Sequence, residues 1–257
     1  MNAQSELRAP TAERLLDVRT PAEIAFAPDG SRVAFALHAT VADIGSFVPS
    51  DLYLVDVDGI EPVRLTNGAW SDRTPVWSPD GSRLAFLSDR IAPGHQLPYT
   101  MVPGEEPLQV GTFIGSAESL SWSSDGERLL VLVADPGCYG LDWSARAVHG
   151  AGPAPDPAIL RPGQARRRLF VLDILTGDCI EVGPPDTDVW EFDWDGADTG
   201  VALASKKPHG GSGWYRASVV RLDLSARTMR TLYEPSWQTE WLSLSSDGRR
   251  AAVTEGY

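Results

Sequence analysis

The sequence predicts an all-β chain built from repeated antiparallel units, and three observations carry that prediction. A hairpin grammar, clearest in Val-Trp-Ser-Pro-Asp-Gly-Ser-Arg-Leu-Ala-Phe-Leu-Ser from residue 76, returns five times along the 257 residues. The 24 glycines and 20 prolines favour many turns over long helices. The strands around each turn are apolar with little alternation, as in Leu84-Ala85-Phe86-Leu87, the pattern of a strand covered on both faces.

The five hairpins start near Ile24, Val76, Leu120, Phe192 and Leu242. In Ser78-Pro79-Asp80-Gly81 proline presets the φ of a turn's second position, Asp suits the next, and Gly tolerates positive φ. The anchor residue three before the turn aspartate is Phe26, Trp77, Trp122, Trp194 (by alignment) and Leu244, in steps of 51, 45, 72 and 50. Trp77, Trp122 and Trp194 share one register and are expected in the core, filling the wedge between neighbouring sheets. The long third step reflects an insert at 135–166, rich in Pro, Gly and Ala, which reads as either a functional loop or a disordered one.

A second kind of hairpin follows, clearest at 51–66 and 168–183, with a further example at 217–232. Each repeat thus contributes about four antiparallel strands, the content of one propeller blade. In the second repeat Pro98 falls inside the corresponding strand, which is expected to be an edge or irregular because proline has no N–H for a ladder. The reading is a partial β-propeller over 21–257 with about four and a half blades. Regular spacing argues against the alternative, a β-sandwich. The fifth copy reaches Tyr257 after its first hairpin, so the chain is expected to be the front of a longer protein.

Charge and composition exclude several functions. With 35 acidic and 22 basic side chains, the formal charge of −13 repels phosphate backbones and anionic membranes, so neither nucleic acid nor membrane is an expected partner. The one dense basic run, Arg166-Arg167-Arg168, reads as a solvated strand entrance. Cys138 and Cys179 form no Cys-x-x-Cys pair and read as reduced. The N-terminus has no apolar run of signal-peptide kind, and a cytoplasmic location is expected.

Catalytic chemistry is not legible in these residues. No Gly-x-Ser-x-Gly elbow occurs; Gly210-Gly211-Ser212-Gly213 is followed by Trp214 and reads as a blade loop. His38, His95, His149 and His209 fall in or beside expected loops, without metal-ligand spacing. Asp29, Asp80, Asp125 and Asp247 recur at one position, but each is a lone Asp before Gly, which suits a turn rather than a calcium loop. No catalytic residue, metal or cofactor is therefore assigned. Trp143, in the insert, and Trp214 lie outside the strand register and are the candidates for substrate or interdomain contact, although a structural role is the simpler reading.

Residues 11–37, 51–90 and 213–224 together resemble the N-terminal propeller region of the prolyl oligopeptidase family of serine peptidases, closest to its acylaminoacyl-peptidase and dipeptidyl-aminopeptidase-like branch. The resemblance implies a short helix within residues 1–20 and a seven-bladed ring capping an α/β-hydrolase domain that is absent from this chain. It implies a Ser-Asp-His triad in that domain, with the propeller gating access of short, including N-acylated, peptides. On that reading this chain is inactive alone, its parent is a peptidase with peptides as partners, and homo-oligomers remain open. The Tol-system propeller TolB shares such hairpins, and the competing reading is a stand-alone protein- or peptide-binding module.

Overall fold

In the computed structural model residues 19–39, 49–59, 61–136, 138, 165–206 and 213–256 are described. They form five successive antiparallel sheets, each made from consecutive strands. The first contains β1 (Arg19–Phe26), β2 (Arg32–Ala39), β3 (Ser50–Asp56) and β4 (Val63–Arg64); the second β5 (Asp72–Trp77), β6 (Leu84–Ser88), β7 (Leu97–Met101) and β8 (Leu108–Gln109). The third contains β9 (Ser116–Trp122), β10 (Arg128–Ala134), β11 (Arg167–Asp173) and β12 (Cys179–Val182); the fourth β13 (Asp188–Trp194), β14 (Thr199–Ser205), β15 (Ser218–Asp223) and β16 (Thr228–Tyr233). The fifth pairs β17 (Gln238–Leu244) with β18 (Ala251–Gly256). This is the all-β propeller-blade architecture expected from the repeat.

First strands of successive sheets pack side by side, β1 on β5, β5 on β9 and β13 on β17. The anchors explain why. Trp77 is 8% exposed and its indole N–H donates to the Ala25 carbonyl of the preceding sheet at 3.2 Å. Trp122 repeats the contact, donating to Val76 at 3.1 Å. A ring in that wedge removes a large apolar surface from water, and its one polar atom is satisfied by a neighbouring strand, so packing and register reinforce each other. Trp194 is equally buried but donates to Ala197 within its own turn at 3.1 Å, because the Asp-Gly turn there is displaced by the weaker copy of the motif. Phe26, in the same register, is 66% exposed; among the described residues no sheet precedes it.

The turns also touch one another. Ser124 N–H donates to the Gly196 carbonyl at 2.7 Å, joining the third turn to the fourth. Gly196 has φ +81°, and a Cβ there would lie 2.7 Å from Ser124 N. Glycine is thus required twice, for the left-handed backbone and for the close approach.

Two sequence expectations need correction. The strands begin upstream of the expected starts, at Arg19, Asp72, Ser116, Asp188 and Gln238, so residues 19 and 20 belong to the first sheet rather than to an N-terminal segment. The cause is a bulge in each first strand, with Glu23, Thr74 and Trp241 at φ near +55°, which breaks the side-chain alternation that marks a strand. Pro98 sits in β7, an inner strand between β6 and β8. Its carbonyl accepts from Val110 N–H at 3.0 Å, which places its ring nitrogen on the short β8 side, so the ladder to β6 loses no donor. His38 is the second-last residue of β2, beside the 40–49 connection. The helix implied for residues 1–20 and the insert centre fall outside the described residues.

The turn contact gives a comparison between two glycines of similar φ. Gly30, at φ +71°, has open space where a Cβ would stand. Gly30→Ala should cost about 1–2 kcal/mol of unfolding free energy in urea from backbone strain alone. Gly196→Ala should cost clearly more, since the Ser124 backbone must also move; equal losses would show that the turn-to-turn seam carries no stability.

Candidate functional site

Antiparallel order sends every connection from a second to a third strand out of the same end of its sheet, opposite the Asp-Gly turns. These connections span 40–49, 89–96, 135–166 and 206–217. Both residues singled out for possible contact, Trp143 and Trp214, belong to these segments of the sequence, as do His95, His149 and His209. Trp143, His149 and His209 are outside the described residues. Trp214 opens a one-turn 3-10 helix, Trp214–Arg216, that packs against β14 and β17. The topology brings these segments to one end without showing contact among their candidate side chains.

The same end collects most buried polar side chains. Asp51, at the start of β3, is buried and holds Arg64 at 2.7 Å and Arg19 at 3.7 Å. Asp72, opening β5, receives Arg90 through two nitrogens, at 2.9 and 3.4 Å. Asp89, just after β6, accepts the Ser71 and Gly94 backbone N–H groups, each at 2.8 Å, and burial raises its pKa. Arg167, opening β11, is 1% exposed: its Nε donates to Glu118 at 2.7 Å, its backbone N–H donates to Asp188 at 2.8 Å, and its guanidinium lies 4.7 Å from the Trp190 ring centroid. Burial raises the pKa of Asp188.

These groups also join the sheets. At each of the first three junctions the start of a third strand bonds the start of the next first strand. Ser50 Oγ donates to the Asp72 carbonyl at 2.7 Å; Gln96 N–H donates to Ser116 Oγ at 3.0 Å; Arg167 N–H reaches Asp188. The roots of the long connections are therefore pinned to a polar network, a rigid base for variable loops. Carboxylates on the bulges add a second tie: Glu23 accepts Thr74 N–H and Glu191 accepts Leu242 N–H, both at 2.7 Å, and burial raises the pKa of Glu191.

The expected solvated entrance at Arg166–Arg168 is thus overturned. Arg167 is enclosed by acids of two sheets, and Arg168 reaches Asp135 and, at 3.1 Å, Glu181. The signal was present as single acids scattered 13 to 49 residues away, which no local pattern connects.

The turn aspartates behave as turn chemistry demands. Asp80 accepts Ser78 Oγ at 2.6 Å and Ser82 N–H at 3.0 Å, bonds that lower its pKa to about 2. Asp29, Asp125 and Asp247 make equivalent bonds and are likewise lowered. Among the described residues no group of three or more His, Cys, Asp and Glu is placed to hold a metal ion. Both cysteines are free, and burial pushes the Cys138 thiol up to about 12, which keeps it protonated and unreactive.

No family model matches the chain. The uncharacterized peptidase YuxL of Bacillus subtilis is 30% identical over 124 residues, which is 48% of this chain and 19% of YuxL. A probable dipeptidyl-peptidase 5 of Arthroderma benhamiae is 32% identical over 234 residues, covering 71% of this chain and 31% of that protein. Among solved structures, the acylaminoacyl peptidase of Pyrococcus horikoshii superposes with TM-score 0.58 at 15% identity, over 93% of this chain and 36% of that one, which shows the fold. The chain spans under a third of the length of either curated relative.

Two measurements follow from the polar end and the turns. Arg167→Met leaves Glu118 and Asp188 buried beside an uncharged side chain, and should lower unfolding free energy by about 3–5 kcal/mol in urea. Asp80 has a depressed pKa, so its stabilising effect is present above pH 3.8 and fades as pH falls towards 2. Asp80→Ala should therefore lower the urea midpoint at pH 7, with the gap to the parent closing across that window.

Proposed function

Because this chain is homologous to the propeller regions of peptidases of the prolyl oligopeptidase family, we propose that it is the noncatalytic, substrate-admitting part of a serine peptidase acting on short peptides. The observation that carries the proposal is the similarity to a probable dipeptidyl-peptidase 5 over 71% of this chain. The relatives' greater length leaves ample chain for a separate hydrolase domain. In that domain a serine nucleophile, a histidine base, an aspartate that orients it and an oxyanion hole would perform the hydrolysis.

The part played by this chain is selection. Its connections from second to third strands are unequal in length and share one end, while their roots are held by buried ion pairs. Loops of unequal reach on a rigid rim exclude bulky substrates by size while leaving extended peptides room to pass. The insert at 135–166 is the longest of them and the leading candidate for that restriction.

The whole protein should hydrolyse dipeptidyl or acyl-aminoacyl chromogenic substrates and lose activity to a fluorophosphonate, while residues 1–257 alone should do neither. Shortening 139–164 to a few residues in the whole protein should raise kcat/KM for long peptides relative to short ones by about tenfold. A whole protein that binds peptides without hydrolysing them would favour the stand-alone binding module instead.

A further inference from the structure

One row before its anchor, each complete sheet sets an opposed pair on its third and fourth strands. The pair is Leu54–Val63 in the first sheet, Thr100–Leu108 in the second, Val171–Ile180 in the third and Arg221–Arg230 in the fourth. Three sheets carry no charge there. The fourth places two arginines directly opposite each other, which costs stability in an antiparallel pair. Their row continues inward through Val201, which shares a buried cluster with Leu242 of β17, against which Leu244 and Val253 also pack. Residues directly opposite share a face, so both arginines stand on the side of the fourth sheet that the fifth sheet covers. Both are exposed. Arg221 Nη2 donates to the Thr199 hydroxyl at 3.4 Å, and neither arginine has a carboxylate partner among the described residues.

The covering sheet supplies the second observation. It has two strands where each of the others has four, and β18 presents six residues of unpaired edge. Glu255 of β18 accepts the Tyr233 hydroxyl at 2.7 Å, so that edge reaches the outer strands of the fourth sheet. Between sheets three and four, Leu222 and Met229 pack into the cluster that Val171 joins; they are the third- and fourth-strand members of the row that holds the anchor Trp194. In the fifth sheet the same row begins with Leu244 and Ala251, and its next two members would lie over Arg221 and Arg230.

We propose that β18 pairs with a strand from the part of the whole protein beyond residue 257, and that this added segment sets a carboxylate over Arg221 and Arg230. Order and charge select this occupant. All four complete sheets add their strands in chain order, third beside second, and this chain spans under a third of either curated relative. A carboxylate between the two arginines turns their mutual repulsion into a bridge shielded from water, where an apolar side chain at that place would bury two unpaired cations. The inference rests on the proposed function in taking this chain as one part of a longer peptidase, and none of its readouts needs peptidase activity.

Amide hydrogen exchange, read by mass spectrometry on the whole protein and on residues 1–257, tests both halves of the proposal. The amides of Ala251–Gly256 should exchange at least about a hundredfold more slowly in the whole protein, where the edge is paired. Arg230→Glu gives the test its sign. In residues 1–257 it sets opposite charges across the ladder and should slow exchange in β15 and β16 by about threefold. In the whole protein the same glutamate meets the covering carboxylate, and exchange in β15, β16 and β18 should quicken by about tenfold. Equal exchange of β18 in the two proteins overturns the proposal, as does an Arg230→Glu effect of the same sign in both. Protection of β18 that fades on dilution assigns the edge to a second copy and overturns it too. A whole protein that protects β18 and hydrolyses no peptide upholds the added strand and counts against the peptidase reading alone.

Discussion

A four-stranded sheet that is apolar on both faces must be covered twice, and the seam between successive sheets is where this chain meets that requirement. Sheets two and three each push a tryptophan into the wedge beside their predecessor and hand its indole N–H to a carbonyl there. The bond does more than satisfy one donor. It sets the height at which one sheet stands against the next, and that height decides whether turns meet turns and strand starts meet strand starts. The Ser50 to Asp72 contact lies at the same junction as the Trp77 bond, while between sheets three and four, where Trp194 bonds within its own turn, the Ser124 to Gly196 contact ties turn to turn.

The two ends of the blades solve different problems. At the turn end each aspartate is satisfied locally, by hydroxyls and amides two residues away, and stays in water. At the other end the chain departs into long connections, so strand termini that would be frayed and wet are instead buried. Burying their polar groups is tolerable only because acids and arginines meet there, as Asp72 meets Arg90 and Glu118 meets Arg167. The result is a stiff polar base beneath variable segments, and this division of labour is what gives the proposed role in substrate admission its physical footing.

The same logic separates the outer edges from the inner ones. The first strands, each paired with one neighbour within its sheet, carry bulges such as that at Glu23, which turns a carboxylate towards the next sheet. Outer strands have no second neighbour, so their behaviour rests on length, proline and charge alone. β4 and β8 are two residues long, whereas β16 runs for six and is bulged at Leu232.

Local chemistry was enough to read the repeat. Pro-Asp-Gly turns, apolar flanks and the tryptophan register are written within a dozen residues each, and Trp77, Trp122 and Trp194 are buried where that register puts them. What the linear order could not convey was every feature whose partner lies far along the chain. Arg167 reads as one of three solvated arginines until Glu118, 49 residues earlier, is folded against it. The bulges erase strand alternation just where the first strands begin, and the gathering of the long connections at one end follows from antiparallel order that no single segment displays. Turn and core preferences act between neighbours in sequence and so are legible there; ion pairs, seams and open edges are set by distances in space, which exist only once the sheets have stacked.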